Sequence, residues 1–159
     1  MNPPHAHLIL RTPGRATLWQ GDVYAAATAK ADAVDVILCC ANEVQPSATD
    51  RFPPGVTVLG FPFDDTSKPS MGDISTALEA AQAAYDSLKA NKRVLITCFA
   101  GRNRSGLVSA LIVRAALRMT GDEAVDYVKA RRPNALTNES FCAWMRRLPK
   151  PGERRDAHV

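Results

Sequence analysis

The chain has 159 residues, 46% of them hydrophobic and 23% charged, with a net charge of +4. That is enough for one domain whose core needs neither disulfides nor metals, and four cysteines in such a length point to a reducing compartment, the cytoplasm being the expected location. The opening segment Met1 to His7 has no basic region ahead of an apolar run and no stretch approaches a membrane span, so neither secretion nor integral insertion is expected.

Along the chain, Leu8 to Leu10 and Ala16 to Gln20 read as short strands, and Asp22 to Lys30 as a short alanine-rich helix. Ala33 to Cys40 reads as a buried strand, 42 to 55 as loop, and 56 to 60 as a further strand. Asp73 is placed as the cap of a helix whose apolar stripe is Ile74, Leu78, Ala81, Tyr85 and Leu88 and which Lys89 to Lys92 ends. A strand over 93 to 97, a loop, and a helix over 105 to 119 follow. Thr120 and Glu123 form a capping box that opens a helix to about Arg131, and a last helix covers about 138 to 148. Strands alternate with helices early and helices dominate late. The expectation is a single α/β domain with a central mixed, mostly parallel sheet flanked by helices, with 1–15 as a lead-in, 16–148 as the domain proper and 149–159 as a mobile tail.

The loop between the strand at 93–97 and the next helix carries the chemistry. Cys98-Phe-Ala-Gly-Arg-Asn-Arg104-Ser-Gly sets a thiol six residues before an arginine, with a hydroxyl directly after it. The spacing alone is weak evidence; Val94, Leu95 and Ile96 before it, Gly101 within it and the apolar run after Ser105 make it a strand, loop and helix unit. Unpaired N–H groups of the helix start, together with those of Phe99, Ala100, Gly101, Arg102, Asn103 and Arg104, form an anion cradle at the positive end of a helix dipole. The same field favours the ionised thiol, which is the competent nucleophile. Arg104 offers a planar fork to two phosphoryl oxygens, Ser105 a donor to the sulfur, and Gly101 a turn with no side chain in the way. A leaving alkoxide or phenoxide needs a proton, and Asp64 and Asp65, at the end of the strand over 56 to 60, are the carboxylates available for it.

These residues resemble the signature of the cysteine-dependent protein phosphatases, and within them the small dual-specificity branch: His-Cys, five residues, Arg, then Ser or Thr. The resemblance runs over roughly residues 16 to 148 and is concentrated at Cys98, Gly101, Arg104, Ser105 and Gly106. It implies catalysis by Cys98 and Arg104, Asp65 as general acid with Asp64 in reserve, Ser105 as donor to the thiolate, and no cofactor. One departure is Thr97, where the family carries the histidine that supports the loop and the thiolate; its hydroxyl is expected to replace that support in part. Asn138, after Arg131-Arg132-Pro133, matches an asparagine that supports the phosphate loop from behind, and it is equally placed to cap the last helix. Cys40 matches a cysteine that in some relatives forms a reversible disulfide with the nucleophile, whereas a small buried hydrophobe is the plainer role for Cys39 and Cys40 alike. Cys142 reads as packing.

Other chemistries are set aside on spacing. The loop lacks the lysine and glycines of a Walker motif, and zinc is not expected, because His5, His7 and His158 sit at the chain ends and no Cys-x-x-Cys pair exists. Trp19 and Trp144 read as core rather than as a nucleic-acid surface, and no stable nucleic-acid partner or membrane is expected. The expected partner is a phosphorylated protein, hydrolysed at phosphotyrosine and at phosphoserine or phosphothreonine through a phosphocysteine. The alternatives are the same chemistry on a phosphoinositide or an RNA 5′-triphosphate, or a phosphate-binding module without turnover.

Overall fold

A computed structural model describes residues 2–43 and 52–153. Among these residues ten elements follow one another: β1 (Ala6–Arg11), β2 (Thr17–Gly21), α1 (Val23–Thr28), β3 (Val36–Ala41), β4 (Thr57–Phe63), α2 (Met71–Lys89), β5 (Val94–Thr97), α3 (Arg104–Leu117), α4 (Gly121–Arg131) and α5 (Glu139–Arg146). The strands form one five-stranded sheet in the order β1-β2-β5-β3-β4. β1 pairs antiparallel with β2, and the β2–β5, β5–β3 and β3–β4 pairs are parallel. This is the mixed, mostly parallel α/β sheet expected from the pattern of elements.

Period-two alternation divides the core between the two faces of the sheet. Leu18, Val36, Leu38, Cys40, Val94 and Ile96 pack with the helices α2 to α5, whereas Trp19, Ile37, Cys39 and Leu95 pack under α1 and the Ala29 to Val34 segment. Cys39 and Cys40 thus face opposite sides. β3 and β5 are buried at every position, as parallel strands covered on both faces must be. No helix among the described residues is long and apolar enough to cross a membrane.

Two local readings, both on α2, are corrected. Ser70 caps α2, accepting from the Asp73 N–H, while Asp73 is the third helical residue whose carboxylate reaches back to the Ser70 N–H. A proper capping box is therefore present one turn earlier than expected. The buried stripe of α2 is Ala77, Ala80, Ala81, Ala84 and Leu88, while Leu78 is 46% exposed; small side chains let the helix lie close to β3, β4 and α3 without burying the larger ones. The tail is tied down at its start: Arg114 donates through Nε to the Pro149 carbonyl at 2.8 Å, and Arg118 through Nη2 to that of Pro151 at 3.2 Å. Residues 154–159 of the tail, and 44–51 of the loop after β3, lie outside the described residues.

Asp35, at the foot of β3, links three segments. It accepts from Arg93 Nη2 at 2.9 Å, from the Arg93 N–H at 2.8 Å, and from Arg15 Nη2 at 3.3 Å. The Arg93 hydrogen bonds lower its carboxyl to about 2 against the opposing effect of burial. The folded carboxyl thus sits below its unfolded value of about 3.9, so its contribution is complete above that pH and is lost as pH falls toward the folded value. Denaturant titrations of wild type and Asp35→Asn from pH ~5 to pH ~2 should show a stability difference that shrinks steadily with acidification.

Candidate active site

The carboxyl ends of the parallel strands β3, β4 and β5 meet at one rim, the usual place for ligands in an open α/β sheet. β5 delivers Cys98, β4 runs out into Asp64 and Asp65, and β3 into Asn42 and Glu43. Cys98, 4% exposed, lies in a cavity of about 270 Å³ that Asp65, Phe99, Arg102, Asn103, Arg104 and Thr137 also line.

The loop is shaped from outside through its carbonyls. The Phe99 carbonyl accepts from the Val23 N–H at 3.1 Å and the Arg102 carbonyl from the Leu136 N–H at 3.0 Å. The Gly101 carbonyl takes two buried donors, Gln20 Nε2 at 3.1 Å and Arg132 Nε at 2.5 Å. Across a trans peptide the N–H opposes the C=O, so pulling these carbonyls outward turns the N–H groups of Ala100, Arg102 and Asn103 toward the cavity. Gly101 sits at φ 66°, and a Cβ there would lie 2.5 Å from Arg132 Nη2 and 2.6 Å from the Gly21 backbone. Only glycine meets both demands. Leu136 adopts φ 56° while buried completely, a left-handed leucine that costs about 1–3 kcal/mol and is held where its N–H reaches Arg102.

α3 opens on this cavity. Its first residue is Arg104, and its N-cap Asn103 makes no side-chain cap bond to the helix, so the first-turn N–H groups lack the partner that Ser or Asp would supply. An anion in the cradle would meet them. The Cys98 sulfur lies 3.2 Å from Ser105 Oγ.

Arg104 is buried and oriented by Glu43. Its Nη1 reaches Glu43 Oε1 at 3.0 Å and its Nη2 reaches Oε2 at 3.1 Å, a bidentate pair, with Nη1 also 3.4 Å from the Phe63 carbonyl. The Arg104 contacts hold the Glu43 carboxyl below its ordinary range, although burial opposes them. Arg104 Nε is buried without a partner among the described residues.

The two aspartates are separated in role by position. Asp65 lines the cavity, and both its oxygens are bonded: Oδ1 by Asn138 Nδ2 at 2.7 Å and Oδ2 by Asn103 Nδ2 at 3.0 Å. Asp64 instead accepts from Asn42 Nδ2, and its N–H donates to Asp73 Oδ1 at 3.1 Å. Asn138 caps α5 through Oδ1, which accepts from the Ser140 and Phe141 N–H groups. Its side chain reaches Asp65 rather than the back of the phosphate loop; only its N–H meets that loop, at Asn103 Oδ1, 2.8 Å away.

Thr97 points away from the nucleophile. Its hydroxyl donates to the Leu38 carbonyl at 3.2 Å and lies 4.0 Å from Cys39 Sγ; support of the loop from beneath comes from Gln20 and Arg132 instead. Cys40 follows the Cys39–Thr97 register pair on β3, which sets it beside Cys98. Burial and the neighbouring Cys98 push its thiol well above its ordinary value. Cys142 is buried, with its sulfur 3.2 Å from the Leu136 carbonyl.

A family model, the dual specificity phosphatase catalytic domain, matches residues 18–150. The chain belongs to this family. Residues 18–150 are thus a cysteine-based phosphatase catalytic domain of the dual-specificity type. Protein tyrosine phosphatase domain-containing protein 1 of Bos taurus is 32% identical over 82 residues, covering 52% of the chain and 10% of that protein, so the chain spans a small part of this relative's length. The crystal structure of human DUSP28 superposes with a TM-score of 0.68 at 20% identity, over 91% of this phosphatase and 93% of that chain. Tk-PTP in its active form gives 0.67 at 24% identity, over 91% and 96%. These two likenesses are of fold.

Four groups of this phosphatase escape a reading of the sequence. Gln20 is signalled only as a polar residue inside an apolar strand, and Arg132 as one of a basic pair before a proline. Glu43 carries no signal within its loop, and Asn103 reads as cradle backbone rather than as a side chain aimed at Asp65. Gly101→Ala should lower the melting temperature and weaken vanadate binding by at least about tenfold, read by calorimetry, because both its φ and its contacts exclude a methyl group.

Proposed function

We propose that this phosphatase acts on phosphorylated protein, at phosphotyrosine and also at phosphoserine and phosphothreonine, through a phosphocysteine intermediate. The observation that carries the reading is the placement of Cys98, Arg104 and Asp65 around one cavity. The Cys98 thiolate attacks phosphorus in line, forming the P–S bond as the ester P–O bond breaks, and Asp65 gives its proton to the leaving oxygen. Arg104 and the loop N–H groups hold the equatorial oxygens throughout. In the second half the Asp65 carboxylate takes a proton from water as that water attacks phosphorus, and Ser105 donates to the departing sulfur.

Charge around the mouth supports a single phosphate on a protein over a polyphosphorylated substrate. Among the described residues that line the cavity Arg102 is the exposed cation, Glu43 already pairs with Arg104, and Asp64 adds a carboxylate at the rim. Extra phosphates of a phosphoinositide or an RNA 5′-triphosphate would find one exposed cation, Arg102, among the described residues that line the cavity. Phe99, 55% exposed beside the nucleophile, offers a ring to an aryl ester, a contact worth about 0.5–1.5 kcal/mol.

Rates on phosphotyrosine and phosphothreonine peptides, a phosphoinositide and a 5′-triphosphorylated RNA, each with a chelator present, test this reading. The peptides should be the faster substrates. Cys98→Ser should abolish turnover, Asp65→Ala should lower it about 10²–10⁴-fold, and Asp64→Ala should leave it within about threefold of wild type. Dominant release from the lipid or the RNA would overturn the protein-substrate reading.

A further inference from the structure

Asp65 sits on the segment that leaves β4, yet what fixes its carboxylate comes from two other parts of the chain. Asn103 belongs to the phosphate loop and Asn138 to the start of α5, and each gives one amide N–H to one carboxylate oxygen, at 3.0 and 2.7 Å. Neither amide is free to turn over. Asn103 Oδ1 accepts from the Asn138 N–H at 2.8 Å and from Thr137 Oγ1 at 3.3 Å. Asn138 Oδ1 accepts from the Ser140 and Phe141 N–H groups at 3.0 and 3.2 Å, as the α5 cap. With both amide oxygens committed to donors, both NH₂ groups are left facing Asp65. The segment is stitched a second time, since Asn138 Nδ2 also reaches the Thr66 carbonyl at 2.9 Å and Ser140 Oγ reaches that of Ser67 at 2.6 Å.

We propose that Asn103 and Asn138 are positioning residues that hold the Asp65 segment shut over the phosphate loop before substrate arrives. The inference rests on Asp65 being the general acid. Its chemical consequence follows from the donor count. A carboxyl group has about four lone-pair sites, two of which the amides occupy. When Asp65 is protonated, neither amide presents an acceptor to its O–H, because both amide oxygens are used elsewhere. The proton is left to point into the cavity, where the leaving oxygen of an ester attacked by Cys98 would lie. The clamp therefore fixes both the place of the acid and the direction of its proton, an orientation effect realised at the leaving group rather than at the phosphate.

A leaving-group comparison separates this role from a structural one. Asn138→Asp keeps an oxygen to cap α5 but replaces the donor to Asp65 with an acceptor, so the fold is preserved while the clamp is lost. Asn103→Ala removes the other donor and leaves the loop backbone in place. Steady-state rates would be measured on phenyl phosphate, whose leaving group needs the proton, and on 4-nitrophenyl phosphate, whose leaving group needs it far less. Each variant should lose about 10- to 100-fold in kcat on the phenyl ester and about threefold or less on the nitrophenyl ester, with KM nearly constant. In the Asp65→Ala background, Asn138→Asp should cost nothing further. Equal losses on both esters, or a loss that persists without Asp65, would overturn the clamp while leaving the general acid intact. Equal losses on both esters for Asp65→Ala itself would instead overturn the acid assignment, and the positioning role with it.

Discussion

The Gly101 carbonyl, drawn out of the cavity by Gln20 and Arg132, is the contact on which the site's shape depends. A loop whose N–H groups all converge on one point is unfavourable when empty, because those dipoles repel and each forgoes a partner. The chain meets this cost from behind: buried donors on β2 and at the end of α4, and the N–H groups of Val23 and Leu136, take the carbonyls that would otherwise compete for the loop's own N–H groups. Arg132 is in turn met by His7 Nδ1 at 2.7 Å, and burial, with the Arg132 charge second, lowers the imidazole below its ordinary value, so that the neutral ring accepts. The antiparallel strand β1 thereby takes part in a site at the far end of the parallel strands.

Electrostatic balance is the second constraint. Arg104 is almost wholly buried, and a guanidinium there is tolerable only with a partner; Glu43 supplies both charge and fork geometry while leaving Nε open. The same pairing limits the positive potential at the mouth. A site that has neutralised its own arginine gains less from each added phosphate, which is consistent with a substrate carrying one.

Much of this was legible in the sequence because it is local. The strand, loop and helix around Cys98, the capping box of α4 and the opposite facing of Cys39 and Cys40 depend on spacing within a few residues, and each is where periodicity sets it. What was not legible joins residues distant in the chain. The Glu43 to Arg104 pair spans 61 positions and the Asn138 to Asp65 bond 73, and no spacing rule reaches that far. Thr97 shows the same limit, since its type suggested a hydroxyl near the sulfur, whereas the β5–β3 pairing turns it to Leu38. On α2 a reading by hydrophobicity favoured large residues, and close packing against the sheet selected alanines instead.

Covalent catalysis by Cys98 is tested most directly by rapid acid quench of the enzyme during turnover of an aryl phosphate, followed by peptide mass analysis. A phosphoryl group on the peptide containing Cys98, absent in Cys98→Ser and gained in burst proportion to enzyme, is the predicted result. Turnover at full rate with no phosphorylated Cys98 peptide, or with the label on another residue, would contradict it.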